Sequence, residues 1–302
     1  MKKFSLFAIC HLLFATSLFA WLSTEDKGTS GAQFLKIGIG ARPVALAGAY
    51  TSLSNDISGV YWNPAGVVFS ENKEVELMYT QWFEDTTLNY FGIGTPFKGG
   101  KLFLNYTLLT VSKLERRTSD TGSSEGEFKA QDSAIGIGYA FKLGESAVGI
   151  TLKSISSKID DESASAVAVD IGWKKESEKY LWGISLRNLG TEIKFINEAD
   201  PLPTNLNLGF GIKLKENMCL GIDLNFPRDN EINASIGYEY ILKAGRMEIP
   251  LRVGYKTLND FEAIDALSAG LGINIKSYTL DFAWAPYGDL EDTIRIALKG
   301  KF

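Results

Sequence analysis

The sequence has 302 residues, a formal net charge of −5, one histidine (His11) and two cysteines (Cys10 and Cys219). His11 and Cys10 lie in an amino-terminal apolar run that we expect to be removed, which would leave no histidine and one cysteine. Such a chain has no intramolecular disulfide, no Ser-His triad, no histidine general acid or base and no histidine metal site. We therefore predict that the protein is not an enzyme and that it needs no metal or cofactor.

The first twenty residues are typical of a secretory signal peptide. Lys2 and Lys3 precede an apolar run that extends from Phe4 to Ala20. We expect cleavage near Ala20, and removal of the two lysines takes the net charge from −5 to −7, which argues against nucleic acid as a partner. A lipoprotein is disfavoured because Ile9 precedes Cys10, where a small residue is required.

Residues 21–72 do not follow a strand pattern, and we predict that they form a separate N-terminal segment. A short helix is expected from Arg42 to Leu53, because Pro43 suits the first turn of a helix. The glycines of Gly38 to Pro43 lack the third glycine and the βαβ context of a dinucleotide-binding loop. The segment also contains a turn at Asn63-Pro64.

Residues 73–302 read as fourteen short amphipathic strands in which apolar and polar residues alternate. The fold class predicted is all-β, a fourteen-stranded antiparallel transmembrane β-barrel with an N-terminal plug (hatch) segment. Alternation alone also fits a soluble β-sandwich, but the signal peptide and the aromatic residues near strand ends favour a lipid-facing wall. The polar rows supply candidate lumen-facing residues, namely Asp223, Glu239, Glu248, Arg252, Asp281, Arg295 and Lys299.

The last strand, Asp292 to Phe302, alternates apolar and polar residues and ends on an aromatic residue. This arrangement resembles the terminal strand of bacterial outer-membrane barrels, in which the last residue acts as an insertion signal for the barrel-assembly machinery. We therefore assign that role to Phe302. The strand is expected to close the barrel by pairing with the first strand near Val75, Leu77 and Tyr79.

The lengths of the connections predict the orientation of the chain. The long connections, Lys113 to Phe128 and Asn188 to Pro203, fall on one side, and the short ones fall on the other. In outer-membrane barrels short turns face the periplasm, so both termini are expected there. Pro250 interrupts a strand and predicts a bulge or a local gap, because proline cannot donate to a β-ladder.

The N-terminal segment resembles a known family in three stretches, Phe34 to Pro43, Ala47 to Tyr50 and Val60 to Gly66. They are similar to the motifs of the PorV/PorQ family, whose members resemble the FadL long-chain fatty-acid transporters. The resemblance implies a fourteen-stranded barrel in the bacterial outer membrane, with a hatch inside the lumen and the turn Asn63 to Gly66 packed against the wall.

The resemblance is compatible with more than one function. We expect transport or secretion across the outer membrane, with two more specific alternatives: passive transport of hydrophobic small molecules such as fatty acids, or docking of a type IX-like secretion apparatus. The expected partners are outer-membrane lipid, the barrel-assembly machinery, and either hydrophobic small molecules or secretion-system proteins. Candidate plug or gate residues are Arg42, Asn55, Asp56, Tyr61, Trp62, Asn63, Pro64 and Gly66.

Overall fold

The protein is described here by a computed structural model that covers residues 27–117, 122–257, 266–288 and 291–302. The predicted signal peptide and its cleavage near Ala20 lie outside these residues. Within the described part of the chain, no helix is long and apolar enough to span a membrane.

Fourteen strands form a closed barrel in which every described pair of neighbours is antiparallel, which confirms the predicted barrel. Two further short strands, β8 and β9, form a separate hairpin. The strands are β1 (Glu74–Gln81), β2 (Thr86–Phe97), β3 (Gly100–Glu115), β4 (Glu127–Leu143), β5 (Ser146–Ile159), β6 (Glu162–Glu176), β7 (Tyr180–Gly190), β8 (Ile193–Phe195), β9 (Glu198–Asp200), β10 (Asn205–Lys215), β11 (Met218–Pro227), β12 (Asn233–Ala244), β13 (Met247–Lys256), β14 (Leu267–Ile275), β15 (Tyr278–Pro286) and β16 (Asp292–Lys301).

The first and last strands close the barrel in the predicted register. Leu77 is opposite Leu298, and Tyr79 is opposite Ile296. The backbone N–H of Phe302 donates to the carbonyl of Lys73 at 2.9 Å, so the chain is hydrogen-bonded up to its last residue. We call the end of the barrel that carries Phe302 the turn end, since its connections are two or three residues long, and the opposite end the loop end.

The alternation of the sequence is reproduced as two faces of one wall. Large apolar side chains such as Leu77 and Leu280 point outward and are about half exposed, at 53% and 47%. Charged side chains of the alternate rows, such as Lys101 and Asp223, are buried at 1% and 0% exposure. The barrel therefore presents apolar side chains outward and encloses its charges, the reverse of a water-soluble barrel.

Pro250 makes a local gap rather than a bulge. It is opposite Ile241 of β12, but the ladder with β14 passes from the pair Glu248–Asn274 directly to the pair Leu251–Leu271. The register is the same on both sides of the gap, because proline removes one donor without inserting a residue.

The N-terminal segment lies inside the barrel. It contains a 3₁₀ turn at Gln33–Lys36, helix α1 (Ala41–Ala45), helix α2 (Gly59–Trp62) and a second 3₁₀ helix, Pro64–Phe69. The helix expected up to Leu53 is shorter than predicted, because Ala47 and Gly48 adopt positive φ angles of 52° and 81° and end it. Folding back at this point brings the segment into contact with strands around the barrel.

Glycines on the inner face of the wall allow the backbone of the N-terminal segment to approach closely. A Cβ atom added at Gly254 of β13 would lie 2.4 Å from the amide nitrogen of Ala47, and one at Gly183 of β7 would lie 2.4 Å from the carbonyl oxygen of Thr51. Both distances are shorter than van der Waals contact, so a side chain at either position would displace the segment.

We predict that Gly254→Ala loosens the N-terminal segment while leaving the barrel closed. Overpacking at such a site costs about 1–3 kcal/mol. The readout is the rate at which a maleimide labels Cys219, the single cysteine expected after signal removal, which is half-buried near the segment. Labelling should accelerate in Gly254→Ala.

The matched control is Ala269→Val, which adds carbon on the outer face of β14, opposite Val253. It should label at the wild-type rate. Equal rates for all three proteins would contradict the tight packing of Gly254 against the segment.

Candidate functional site

Six charged side chains form an alternating array across the barrel interior. Asp281, Arg252 and Glu239 come from the wall strands β15, β13 and β12, Arg42 and Asp56 come from the N-terminal segment, and Lys299 comes from β16. Arg252 donates to Asp281 and to Glu239, at 2.6 Å in each case. Three acids are thus balanced by three bases, and each has an opposite charge beside it.

The central contact of the array joins the segment to the wall. The Nε and Nη2 atoms of Arg42 donate to the two carboxylate oxygens of Glu239, both at 2.9 Å. Arg42 also donates to Asn55 at 2.7 Å and to the hydroxyl of Tyr50 at 3.0 Å. This paired geometry is the strongest form of carboxylate recognition by arginine, and it fixes α1 relative to β12.

The second contact is between Asp56 and Lys299. Asp56 accepts hydrogen bonds from the ammonium of Lys299 and, at 2.6 Å, from the hydroxyl of Ser58. Burial opposes the ionisation of Asp56, but the charges of Lys299 and Arg42 outweigh it and hold the pKa of Asp56 well below its usual value. The carboxylate is therefore charged and paired at neutral pH.

The predicted turn Asn63 to Gly66 packs against β5 and β6. The amide of Asn63 donates to the carbonyl of Trp173 at 3.0 Å and to that of Thr51 at 2.9 Å. Pro64 lies against Gly149, and Gly66 is so close to Ser54 that no side chain fits there. These residues hold the shape of the segment and its contact with the wall.

The other predicted residues lie elsewhere. Tyr61 and Trp62 line a cavity, and Asp223 accepts a hydrogen bond from the backbone of Thr51 at 2.9 Å. Arg295 is buried on the inner face of β16, where its Nη1 donates to Thr293 at 2.8 Å and its guanidinium lies over the ring of Trp82. Glu248 is outside the array, half-buried at the turn end near Lys243, Arg246 and Lys276.

Sequence reasoning missed several inward-facing cations. Lys101 forms a buried ion pair with Glu74 at 2.8 Å, and Lys174 donates to the carbonyl of Ser54 at 2.7 Å. Arg187 donates to the carbonyl of Tyr61 at 3.3 Å. The available signal was a charged residue on the polar row of a strand, which these three share with the residues that were predicted.

Two interior cavities lie on opposite sides of the N-terminal segment. The loop-end cavity, of about 210 Å³, is bounded by Val44, Ala47 and Trp62 of the segment. The turn-end cavity, of about 150 Å³, is bounded by Arg42 and Asn55. Helix α1 contributes one residue to each cavity, Val44 to the loop-end cavity and Arg42 to the turn-end cavity.

A third concavity lies on the outer face of the barrel, where the β6–β7 ladder is interrupted. The backbone N–H of Asn188 donates to the carboxylate of Asp170 at 2.7 Å instead of to a backbone carbonyl. The concavity has a volume of about 700 Å³ and is open to the surroundings. Outward-facing apolar residues line it together with the inward-facing Lys153 and Ala168.

Among residues 27–117, 122–257, 266–288 and 291–302, no group of three or more His, Cys, Asp or Glu side chains is arranged to hold a metal ion. The acids of the charged array are instead satisfied by Arg and Lys.

The barrel is similar to solved channel structures. A TodX variant described as a monoaromatic hydrocarbon channel has a TM-score of 0.63 and 11% identity, over 87% of this chain and 98% of that one. The monoaromatic hydrocarbon channel CymD has a TM-score of 0.60 and 10% identity, over 88% and 98%. The toluene transporter TodX of Pseudomonas putida has a TM-score of 0.59 and 11% identity, over 87% and 96%.

These neighbours are channels of the FadL family, and at this identity the likeness establishes a shared fold. No family model matches the chain, and no curated protein matches it. Membership of the PorV/PorQ family therefore stays a prediction from the motifs of the N-terminal segment.

We predict that Glu239→Gln releases the N-terminal segment from the wall. The substitution leaves Arg42 and Arg252 facing each other without the carboxylate that both contact, and breaking a buried ion pair in this way costs about 3–5 kcal/mol. Trypsin should cleave the folded variant after Lys36 faster than it cleaves the wild type at the same bond.

Glu115→Gln is the matched control, since Glu115 pairs with Arg117 on the exposed surface at the loop end. An exposed pair contributes only about 0.2–1 kcal/mol, so its cleavage pattern should not change. Indistinguishable cleavage of Glu239→Gln and wild type would show that the array does not hold the segment.

The direction of the Asp56 shift predicts the pH dependence of this attachment. A carboxylate whose folded pKa lies below its unfolded value of about 3.9 stabilises the folded state above that pH and loses the contribution as pH falls through the folded pKa. Trypsin accessibility, assayed after brief exposure to each pH, should therefore be the same at pH 8 and pH 5. Release at pH 5 would contradict the pairing of Asp56 with Lys299.

Proposed function

We propose that this protein is a passive channel of the bacterial outer membrane, through which small molecules cross when the N-terminal segment moves. The apolar outer face of the barrel suits a lipid environment, and the short connections of the turn end suit the periplasm. In this orientation Phe302 is available to the barrel-assembly machinery on the periplasmic side.

The observation that carries the proposal is the position of the segment between two cavities. A barrel of fourteen strands encloses more space than its own inward-facing side chains fill. Closing the lumen therefore requires another part of the chain to fill the remaining space. Here the N-terminal segment is attached by ion pairs and hydrogen bonds, and its apolar residues, such as Leu46 and Ile57, also pack in one buried cluster with wall residues such as Phe103. Movement of the segment therefore exchanges polar contacts for water and separates part of this cluster.

Movement of the segment would join the loop-end cavity to the turn-end cavity. Release of Arg42 from Glu239 is the step that separates α1 from β12, because these two side chains lie at the boundary of the turn-end cavity. The channel is thus closed by the array and opens as the array hydrates. Passage is driven by the concentration gradient of the cargo.

Hydrophobic cargo is favoured by one specific observation, the apolar concavity over the interrupted β6–β7 ladder. Both inward-facing and outward-facing residues line this concavity, so little material separates it from the barrel interior. The aromatic hydrocarbons named for TodX and CymD belong to the class of cargo that such an opening would suit.

A docking role in secretion remains the alternative implied by the PorV/PorQ motifs. It would place a protein partner on the loop-end connections, residues 116–126 and 191–204. These connections are rich in both acidic and basic residues, which is a usual feature of solvated loops.

The test is deletion of residues 24–70 from the mature protein, followed by conductance recording in planar bilayers. The deleted barrel should insert and conduct at least several-fold more than the intact protein, because the material between the two cavities is gone. The control is Glu115→Gln in the full chain, which leaves the lumen unchanged. If the deleted barrel inserts and conducts no better than the intact protein, the channel proposal is wrong.

A further inference from the structure

The loop-end cavity carries an excess of positive charge. Lys36, Arg187, Lys256 and Arg295 line it, and Asp229 is the one carboxylate among its described lining residues. Asp229 already pairs with Lys36 and accepts a hydrogen bond from Ser30. Three cations therefore share a cavity of about 210 Å³ without an acidic partner among the described residues. Like charges enclosed together repel one another, and a bound anion relieves that repulsion.

Arg295 is the least satisfied of the three. Its side chain is fully buried, at 0% exposure, and Nη1 donates to Thr293, but Nε and Nη2 have no hydrogen-bond partner among the described residues. A buried charged donor without an acceptor is costly. The ring of Trp82 lies 5.2 Å from the guanidinium carbon and covers one face of the group.

The free atoms of Arg295 are a matched pair. Nε and Nη2 are the two nitrogens with which Arg42 holds both oxygens of Glu239 at 2.9 Å. The same edge on Arg295 fits a second carboxylate, because the two parallel N–H bonds match the spacing of carboxylate oxygens.

We infer that the loop-end cavity binds the carboxylate of a small organic acid, held side-on by Arg295 after its guanidinium turns into the cavity. Lys256 and Arg187 supply additional positive charge, and the hydroxyl of Ser235, buried and without a partner, is a further donor at the cavity wall. The cavity, of about 210 Å³, has room for a small organic acid.

The role of this acid as cargo rests on the proposed channel function, whereas its binding does not. An aromatic acid and a sugar acid are two sources of the same carboxylate chemistry. Tyr61, Trp62 and Tyr287 line the cavity with rings, and asparagine side chains line it with amides. The test therefore uses benzoate and glucuronate as probes, with benzamide as the uncharged analogue of benzoate.

Binding is measured by isothermal titration calorimetry on the purified full-length protein in detergent. At least one of the two acids should bind, and for benzoate we expect affinity at least tenfold above that of benzamide. Arg295→Gln should weaken binding at least tenfold, and Arg295→Lys, which keeps the charge but loses the paired edge, should weaken it less. Arg116→Gln, at an exposed cation that pairs with Asp160, should bind as the wild type does.

Lys256→Gln tests the same site without touching a fully buried residue, because Lys256 is half-buried at the loop end of β13. It should weaken binding several-fold even if Arg295→Gln fails to fold, as judged by the heat-modifiable mobility of the barrel on gels. The inference is overturned if neither acid binds, if benzoate binds and benzamide binds equally tightly, or if the cavity variants bind the acid as tightly as Arg116→Gln does.

Liposome flux measured on the same preparations separates this inference from the proposed function. Carboxylate binding without flux of any solute would support the carboxylate site and contradict the channel proposal. Flux of a neutral solute without carboxylate binding would support the channel proposal and contradict the carboxylate site.

Discussion

The interior of this barrel depends on the contact between Arg42 and Glu239, which ties a segment without regular strands to a continuous β-wall. The contact is stable because each partner has a second neighbour of opposite charge, Asp56 for Arg42 and Arg252 for Glu239. Enclosing charges is costly by itself, and mutual pairing recovers much of that cost. Because positive and negative side chains alternate in the array, each enclosed charge has an opposite charge beside it.

The same constraint accounts for the arrangement of the rest of the interior. Glycines on the inner face let the backbone of the segment reach the wall, where Lys174 donates to the carbonyl of Ser54 and Asp223 accepts from the amide of Thr51. Where no part of the segment fills the lumen, the wall leaves cavities lined by charged and polar groups. These contacts, together with the apolar cluster that the segment forms with the wall, specify the shape of the closed interior.

Much of the barrel could be predicted from the sequence, because a period of two fixes both the strand and its outward face. The strand number and the closure of β1 with β16 follow from that pattern together with the turn residues. The length of α1 did not follow, since the left-handed backbone at Ala47 is imposed by the fold and has no local cause in the sequence. The pairing of Arg42 with Glu239 could not be predicted from the sequence either. The polar rows show which residues face inward, but they do not show which of these residues contact one another. The sequence predicts that Arg295 faces inward, because it lies on the polar row of β16, but it does not predict that Nε and Nη2 lack partners among the described residues.

We propose that the N-terminal segment closes the lumen and opens locally, and that it is not a permanent part of the wall. Hydrogen exchange of backbone amides, followed by mass spectrometry on the folded wild-type protein, tests it most directly. The account predicts that amides of residues 41–63 exchange through an opening of lower free energy than those of β3 to β6, and that this opening depends little on denaturant. Exchange of the segment and the barrel strands with the same free energy and the same denaturant dependence would contradict it.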